Sequence, residues 1–267
     1  MHKPAMITSV RNANIQWVRR LQTQARLRRE DRVFVLEGVR LVEEAFQAGW
    51  VARLVLHAPG LSRRGQALAA QFTARGTVVE AVSDSVLAAV SDTDTPQGIL
   101  AVMVCQELAL PAALDFLLVL DGLRDPGNLG TLLRTAAAAG VQAVLATPGT
   151  VDPFAPKVLR AAMGAHFRLP LRSLDWLAIQ SLLPAGMHVF LADSGGGQVF
   201  TACDFRPPLA LVVGGEAAGA GSEAASLVAT RQDASRVHIP MVAQVESLNA
   251  AVAGAVLLFE VARQRSM

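Results

Sequence analysis

Residues 116–134 have the sequence Phe116-Leu-Leu-Val-Leu-Asp121-Gly-Leu-Arg-Asp-Pro-Gly-Asn128-Leu-Gly-Thr-Leu-Leu-Arg134, in which an apolar run, a polar turn and a helical pattern follow one another. The apolar run predicts a strand that is buried on both faces, which is typical of parallel sheets. The helical pattern starts at Asn128 and ends at Ala139, before Gly140, the residue type that most often terminates helices. Ligands of open α/β sheets bind beyond the carboxyl ends of strands. The turn and the start of the helix are therefore expected to form part of a functional site.

Strands and helices are predicted to alternate on both sides of this segment. The pattern indicates an α/β protein in which a smaller α/β domain precedes a larger domain with a parallel sheet. We place the first domain at residues 1–106, a linker containing Pro111 at 107–114, and the second domain at 115–267. The 267 residues are enough to bury a core in each domain.

Two further segments place glycine and polar residues after predicted strands. They are Leu211-Val-Val-Gly-Gly-Glu216-Ala-Ala-Gly-Ala-Gly221 and Ile239-Pro-Met-Val-Ala-Gln-Val-Glu-Ser247-Leu-Asn249. Both have ordinary structural interpretations as well. Gly214-Gly215 suits a tight turn, Glu216 suits an exposed carboxylate, and Ser247 suits the N-cap of the last helix.

The first segment also has a structural interpretation. Asp125-Pro-Gly-Asn128 is a common turn signal. Instead of a functional role, the segment could form only a turn followed by a helix cap. Arg134 lies among apolar residues of the predicted helix, and a surface ion pair is its structural alternative. Each of the three segments is therefore a weak signal when it is taken alone.

Several classes of protein are excluded or disfavoured. The glycine-rich segments match neither G-x-G-x-x-G nor GxxxxGK[ST], which disfavours ordinary dehydrogenases and P-loop nucleotide hydrolases. The two cysteines, Cys105 and Cys203, and the five scattered histidines lack metal-ligand spacing, so we expect no metal. A signal-like N-terminus and a long apolar stretch are both missing, which predicts a cytoplasmic protein without a membrane segment.

Basic residues are concentrated in the first domain, although the net charge is only +2. The first 105 residues carry 13 basic and nine acidic side chains, and the remainder carries 11 and 13. An arginine cluster suits contacts with phosphates, and a solvated helix face is the alternative. Three aromatic residues, Trp17, Phe34 and Phe46, are expected in the core, with stacking on bases as the alternative. The cluster consists of Arg11, Arg19, Arg20, Arg26, Arg28 and Arg29.

Together and in this order, the three segments resemble the signature motifs of the SpoU branch of the SPOUT methyltransferases, the TrmH-like RNA ribose 2′-O-methyltransferases. The resemblance covers about residues 115–265 and includes Asp152–Arg160. Residues 1–105 are similar to the L30e-like substrate-binding domain of this family, most clearly at Phe34-Val-Leu-Glu-Gly38. The resemblance implies a trefoil knot in the second domain and a homodimer. The chain departs from the family pattern at two positions, Ala162 and Ala217. The resemblance therefore does not determine the exact shape of the pocket.

The resemblance also implies S-adenosylmethionine as the methyl donor and assigns residues by motif position. The positions matching the cofactor site are Gly214, Gly215, Ile239, Met241 and Leu248. The positions matching the catalytic and substrate site are Asn128, Arg134, Glu216, Ser247 and Asn249. Glycine suits the first set because backbone amides can then approach a ligand closely.

Two roles fit Arg134. The resemblance implies a general base, whereas the permanent charge of a guanidinium favours binding a phosphate and stabilising negative charge on oxygen. RNA, and not DNA, is the expected substrate. The N-terminal domain favours ribosomal RNA, specifically the 23S molecule, over transfer RNA. The arginine cluster would then contact RNA. The alternatives are a transfer RNA enzyme, a catalytically silent RNA-binding or ribosome assembly factor, and an enzyme that binds a dinucleotide without RNA.

Overall fold

The computed structural model describes residues 6–215, 219–242 and 247–266. Contacts between residues divide the chain into two compact units. Unit 1 consists of Met1–Gln106 and Phe154–Phe167, and unit 2 consists of Glu107–Pro153 and Arg168–Met267. The segment Phe154–Phe167 therefore packs within unit 1, whereas the sequence analysis assigned it to the second domain.

Unit 1 contains alternating helices and strands around one sheet, and the labels follow chain order through both units. Its elements are α1 (Ala13–Thr23), α2 (Ala25–Asp31), β1 (Val33–Glu37), α3 (Val39–Gln47), β2 (Ala52–His57), α4 (Arg63–Ala74), β3 (Val78–Ala81), α5 (Asp84–Val90), β4 (Ile99–Val104) and α7 (Pro156–Ala162). The strand order is β1-β4-β2-β3. β4 is antiparallel to both β1 and β2, and β3 is parallel to β2.

The three aromatic residues that were expected in the core of unit 1 pack in it or against it. Phe34 is fully buried, and its ring lies 4.9 Å from the ring of Phe154. Phe46 packs edge-on against Phe72, with 4.8 Å between the ring centroids. Trp17 packs against the hydrophobic core beneath α1. The core prediction is thereby confirmed for Phe34, whereas Phe46 and Trp17 are only partly buried.

Polar and aromatic contacts hold α7 and its flanks within unit 1. The ring of Phe167 packs edge-on against Trp50 at 5.4 Å between centroids. Arg160 forms an ion pair of 2.5 Å with Asp92. This combination of ring packing and charge pairing explains why the segment belongs to unit 1 although it is distant from the rest of that unit in sequence.

Unit 2 contains the larger sheet. Its elements are β5 (Phe116–Asp121), α6 (Pro126–Ala138), β6 (Ala143–Ala146), β7 (Leu171–Ser173), α8 (Trp176–Leu182), β8 (His188–Ala192), β9 (Gln198–Val199), β10 (Leu209–Gly214), α9 (Ser222–Thr230), β11 (Ala234–His238) and α10 (Ala250–Arg265). The strands pair in the order β7-β6-β5-β10-β8-β11-β9, and every pairing is parallel. The predicted parallel sheet is confirmed. The central strands β5 and β10 are buried along their whole length.

The register of β5 and β10 aligns two of the sequence motifs. Asp121, the last residue of β5, pairs with Gly214, the last residue of β10. Because parallel strands end at the same edge of a sheet, the turns that follow these two residues begin side by side. The chain continues from β5 to β6 on one side of β5, whereas β10 pairs with β5 on its other side. The functional segments therefore lie where the strand order changes direction, which is a topological switch point.

Two helices start elsewhere than predicted. α6 begins at Pro126 instead of Asn128, because Asp125 Oδ1 accepts a hydrogen bond of 2.8 Å from the Asn128 amide and proline is well suited to the first helical position. α10 begins at Ala250, with Asn249 as its N-cap. The prediction that Ser247 caps this helix is therefore wrong.

The short apolar run His166–Leu171 predicts a strand from its sequence pattern, and this prediction is wrong. The chain forms a 3-10 turn at Ala165–Phe167, and β7 starts only at Leu171. A short apolar run is compatible with a buried turn as well as with a strand, and here burial against Trp50 determines the outcome. The two-residue strand β9 was not predicted, because so short a strand leaves no periodicity to read.

The carboxylate of Asp121 connects the loops at the functional edge of the sheet. The residue is 6% exposed. Its Oδ1 accepts hydrogen bonds from Thr147 Oγ1 at 2.8 Å and from Trp176 Nε1 at 3.1 Å. Its Oδ2 accepts a bond of 2.7 Å from the backbone amide of Gly221. One side chain thus joins the turns after β5 and β6, the start of α8, and the approach to α9.

Replacing Asp121 with asparagine is expected to lower the free energy of unfolding by about 2–4 kcal/mol, because an amide group would face donors that now bind a buried carboxylate. Urea denaturation measures the change. Asp115→Asn is the matched control: Asp115 is a half-exposed aspartate paired with Arg265, and its loss should cost about 1 kcal/mol or less. Equal effects of the two substitutions would contradict this role of Asp121.

Candidate functional site

A cavity of about 570 Å³ opens in unit 2 at the carboxyl ends of β8, β10 and β11. Its volume lies in the range of about 300–1,000 Å³ that is typical of small-molecule sites. All five residues predicted for the cofactor site line it, namely Gly214, Gly215, Ile239, Met241 and Leu248. Ser247, from the predicted catalytic set, also lines the cavity.

Two glycines that line the cavity, Gly214 and Gly215, are required by close backbone contacts. A Cβ atom on Gly214 would lie 2.3 Å from the backbone nitrogen of Ala220, and one on Gly215 would lie 2.7 Å from the carbonyl oxygen of Gly122. The amide of Gly215 also donates to the Asp121 carbonyl at 3.1 Å. Packing therefore demands glycine here, and the same packing leaves bare backbone along the cavity wall.

One polar wall of the cavity was not predicted. Asp193 follows β8 directly, and its side chain accepts hydrogen bonds from the backbone amide of Gly195 at 2.8 Å and from the guanidinium of Arg236 on β11. All three residues line the cavity. The available signal was the same one that identified the other segments, because Asp193-Ser-Gly-Gly-Gly197 also places polar and glycine residues after a predicted strand.

A hydrogen bond brings the first and third motifs together. Asn249 Nδ2 donates to Asn128 Oδ1 at 3.0 Å. Asn249 Oδ1 accepts from the amides of Ala251 at 2.9 Å and Val252 at 3.3 Å, which caps α10. Because the cap fixes which end of the amide is the acceptor, the donor end must face Asn128. This arrangement leaves the hydroxyl of Ser247 outside the cap, beside the cavity.

Arg134 lies apart from this pair. It is six residues after Asn128 on α6, which turns its side chain by about 120° around the helix axis. The side chain is exposed, and the described part of the chain provides it with neither an ion-pair nor a hydrogen-bond partner. The ion-pair interpretation therefore finds no support among the residues described. Glu216, the remaining predicted catalytic residue, lies outside the described residues.

The arginines predicted to contact RNA differ in their surroundings. Four of them are exposed on unit 1, namely Arg11, Arg19, Arg20 and Arg29. Arg26 is exposed as well and forms an ion pair of 2.6 Å with Glu30. Arg28 is only 5% exposed, and its guanidinium donates to the Leu21 carbonyl at 2.5 Å.

The prediction of an RNA contact for Arg28 is therefore contradicted by its burial. Its guanidinium donates to carbonyl groups at the end of α1, which have no partner within that helix. The sequence pattern did not separate Arg28 from its neighbours, because all of them lie in one basic run.

The described residues contain no cluster of three or more His, Cys, Asp or Glu side chains that is suited to bind a metal ion. Within residues 6–215, 219–242 and 247–266, none of the helices has both the length and the apolar character that crossing a membrane requires.

The sequence that forms this parallel sheet and its cavity matches the model of a protein family. The model of the SpoU rRNA Methylase family matches residues 115–259, and that of the MRM3-like substrate binding domain matches residues 12–101. The chain belongs to the SpoU rRNA methylase family.

Individual relatives extend this result. The chain is 34% identical over 255 residues to the 23S rRNA (guanosine(2553)-2′-O)-methyltransferase RlmP of Bacillus subtilis, covering 95% of this chain and 97% of that protein. The crystal structure of an AdoMet-bound rRNA methyltransferase from Sinorhizobium meliloti has 30% identity, a TM-score of 0.86 and 97% coverage of both chains.

A human relative, the mitochondrial rRNA methyltransferase 3, is 34% identical over 86% of this chain. The chain spans 67% of that human protein and 54% of its mouse counterpart. The vertebrate relatives are thus matched over about half to two thirds of their length.

The capping geometry makes a prediction that separates Asn249 from Ser247. Asn249→Ala is expected to lower the free energy of unfolding by about 1 kcal/mol, because the first amides of α10 lose their acceptor. Ser247→Ala should change it by less than about 0.5 kcal/mol, since this hydroxyl caps nothing. Thermal or urea denaturation of both variants tests the assignment, and a larger loss for Ser247→Ala would reverse it.

Proposed function

We propose that this chain transfers a methyl group from S-adenosylmethionine to a ribose 2′-hydroxyl of RNA, with 23S ribosomal RNA as the favoured substrate. The observation that carries the proposal is the cavity at the carboxyl edge of the parallel sheet. Its glycine-rich walls adjoin the segment whose Asn249 pairs with Asn128. The name of the Bacillus relative and the AdoMet-bound Sinorhizobium structure support the same reaction and cofactor.

The cavity suits S-adenosylmethionine chemically. Ile239, Leu248 and Leu257 provide apolar surface for an adenine ring, and Gly214 and Gly215 leave backbone groups open to polar parts of a ligand. When bound, the cofactor supplies a methyl group that is already activated by the attached sulfonium. The protein must therefore mainly position the acceptor hydroxyl and stabilise its oxygen as the hydroxyl proton passes to solvent water.

The residues of the first and third motifs suit these tasks. Asn128 and Asn249 are linked by a hydrogen bond, and Ser247, which has no hydrogen-bond partner among the described residues, lines the cavity. We assign to these three residues the orientation of the target nucleotide. Glu216 is proposed to hold a hydrogen-bond donor nearby.

Arg134 is proposed as the group that binds the adjacent phosphate and stabilises developing negative charge. A guanidinium surrounded by water has no physical reason to release its proton, and Arg134 is exposed. This exposure favours the electrostatic role over the role of general base.

Ribosomal RNA is favoured because unit 1 matches a substrate-binding domain model and exposes Arg11, Arg19, Arg20 and Arg29. Such exposed positive charges are suited to phosphates of folded RNA. The intact Asn128, Arg134, Ser247 and Asn249 favour an enzyme over a catalytically silent assembly factor. A cytoplasmic location, the L30e-like topology of unit 1 and the trefoil knot stay predictions.

A homodimer is proposed as the working form. One face of α10 exposes an apolar stripe formed by Val252, Val256 and Phe259, and the Phe259 side chain is 53% exposed. The spacing of four and three residues places these side chains on one side of the helix. A second copy of the same helix would bury the stripe, which is the isologous contact expected of a twofold dimer.

The test of the reaction is a methyl-transfer assay with labelled S-adenosylmethionine and either protein-free ribosomal RNA or bulk transfer RNA. We expect label in ribosomal RNA at positions that resist alkaline cleavage, because a methylated 2′-oxygen cannot attack the neighbouring phosphate. Arg134→Ala should slow transfer by about 100-fold. Arg206→Ala removes an exposed arginine paired with Asp204 and should have no effect.

Other outcomes of this assay are equally informative. Label in transfer RNA alone would overturn the ribosomal assignment and keep the chemistry. Cofactor binding without label in either RNA would favour the assembly factor. Near-normal transfer by Arg134→Lys would show that charge suffices, and a rate as low as that of Arg134→Ala would show that the planar guanidinium is needed.

The dimer is tested by light scattering at micromolar concentration. Phe259→Glu should convert the dimer to a monomer, because a charge would be buried in the apolar contact. Leu177→Glu is the matched control, since Leu177 is an exposed apolar residue on α8, outside the stripe. A monomeric wild-type protein, or a Phe259→Glu variant that remains dimeric, would contradict the proposal.

A further inference from the structure

The polar wall formed by Asp193 has no role in the reaction described above. Asp193 is held at the end of β8 by its backbone, because its amide donates to the carbonyl of Val237 at 3.0 Å. The side chain is held as well, through Gly195 and Arg236. A carboxylate fixed in this way is preorganised for binding.

The carboxylate keeps free capacity toward the cavity. An ionised carboxyl group offers about four acceptor positions, and the described contacts of Asp193 use two of them. The side chain retains 25% of its exposure and lines the cavity. A ligand in the cavity therefore meets an acceptor that is rigid, charged and only partly satisfied.

The strand order indicates which part of the ligand this is. Starting from β5, the neighbouring strands of the sheet are β10, β8 and β11 in that order. The predicted catalytic residue Asn128 follows β5. Asp193 lies two strands from β5, on the side away from α6. This end of the cavity is therefore suited to a part of the cofactor that does not react, which is either its nucleoside or its amino acid.

The chemistry of a nucleoside matches the free capacity of Asp193. A ribose presents two neighbouring hydroxyl groups, which donate two hydrogen bonds to one carboxylate. Acidic residues after strands of other α/β folds bind ribose hydroxyls in this manner. We propose that Asp193 binds the ribose diol of the cofactor and that Arg236 is a positioning residue that holds its carboxylate. The inference rests on the proposed function, because that function supplies the ligand.

Calorimetry with unreactive ligands tests the proposal without methyl transfer. The probes are S-adenosylhomocysteine, 5′-methylthioadenosine and the 2′-deoxy and 3′-deoxy forms of 5′-methylthioadenosine. Wild type should bind the ribose form about tenfold more tightly than either deoxy form. Asp193→Asn should weaken binding of both ribose ligands by about 10- to 100-fold and remove the discrimination against deoxy forms, because a charged hydrogen-bond acceptor is lost.

Two further variants control for folding and for charge. Asp233→Asn removes another ion-paired aspartate of unit 2, the partner of Arg231, which does not line the cavity; it should bind all ligands like wild type. Arg236→Gln leaves the carboxylate in place without its partner, so it should weaken binding of ribose ligands several-fold and bind deoxy forms normally. It also provides a second route if Asp193→Asn does not fold.

The outcomes separate this inference from the proposed function. A wild-type protein that binds no S-adenosylhomocysteine would refute the proposed function. Normal binding with discrimination unchanged in Asp193→Asn would refute the inference alone. An effect of Asp193→Asn on S-adenosylhomocysteine that vanishes with 5′-methylthioadenosine would assign Asp193 to the amino-acid ammonium group and overturn the ribose assignment.

Discussion

The hydrogen bonds of the Asp121 carboxylate are the constraint on which the functional edge of unit 2 depends. A parallel sheet brings the loops at its carboxyl edge from distant parts of the chain, and strand pairing alone does not link those loops. Asp121 links them through Thr147, Trp176 and Gly221. Its burial makes these bonds costly to lose, because the donors cannot turn to water instead. The cavity walls thus depend on a residue that does not line the cavity.

A second set of contacts connects the cavity with α6 and α10. Gly214 at the end of β10 and the following Gly215 pack so closely against residues 219–220 and 122 that bare backbone borders the cavity. The Asn128–Asn249 hydrogen bond then ties the cavity rim to α6, the helix that carries Arg134. Because Asn249 also caps α10, a single amide couples the position of the residues proposed to orient the nucleotide to the fold of the last helix. Rigid support of this kind is what methyl transfer to a weak nucleophile requires.

The sequence predicted the parts of this arrangement that depend on local pattern. The apolar runs of β5 and β10 predicted the parallel sheet, and the glycine and polar residues after them predicted where the cavity lies. Side-chain partners across the fold could not be read in the same way. Asp121 was recognised as part of a motif, but its links to Trp176 and Gly221 join residues 55 and 100 positions away. Arg28 appeared to belong to a basic surface, and only the tertiary structure shows that it points inward.

The affinity of Asp121→Asn for S-adenosylhomocysteine tests the central claim, that one buried carboxylate holds the loops around the cavity. Calorimetry should be done at a temperature where circular dichroism shows the variant folded, with Asp115→Asn as the reference. We predict that Asp121→Asn binds at least about tenfold more weakly than wild type, since one lost charged hydrogen bond in a buried network has about this effect. Wild-type affinity in a folded Asp121→Asn variant would contradict the account.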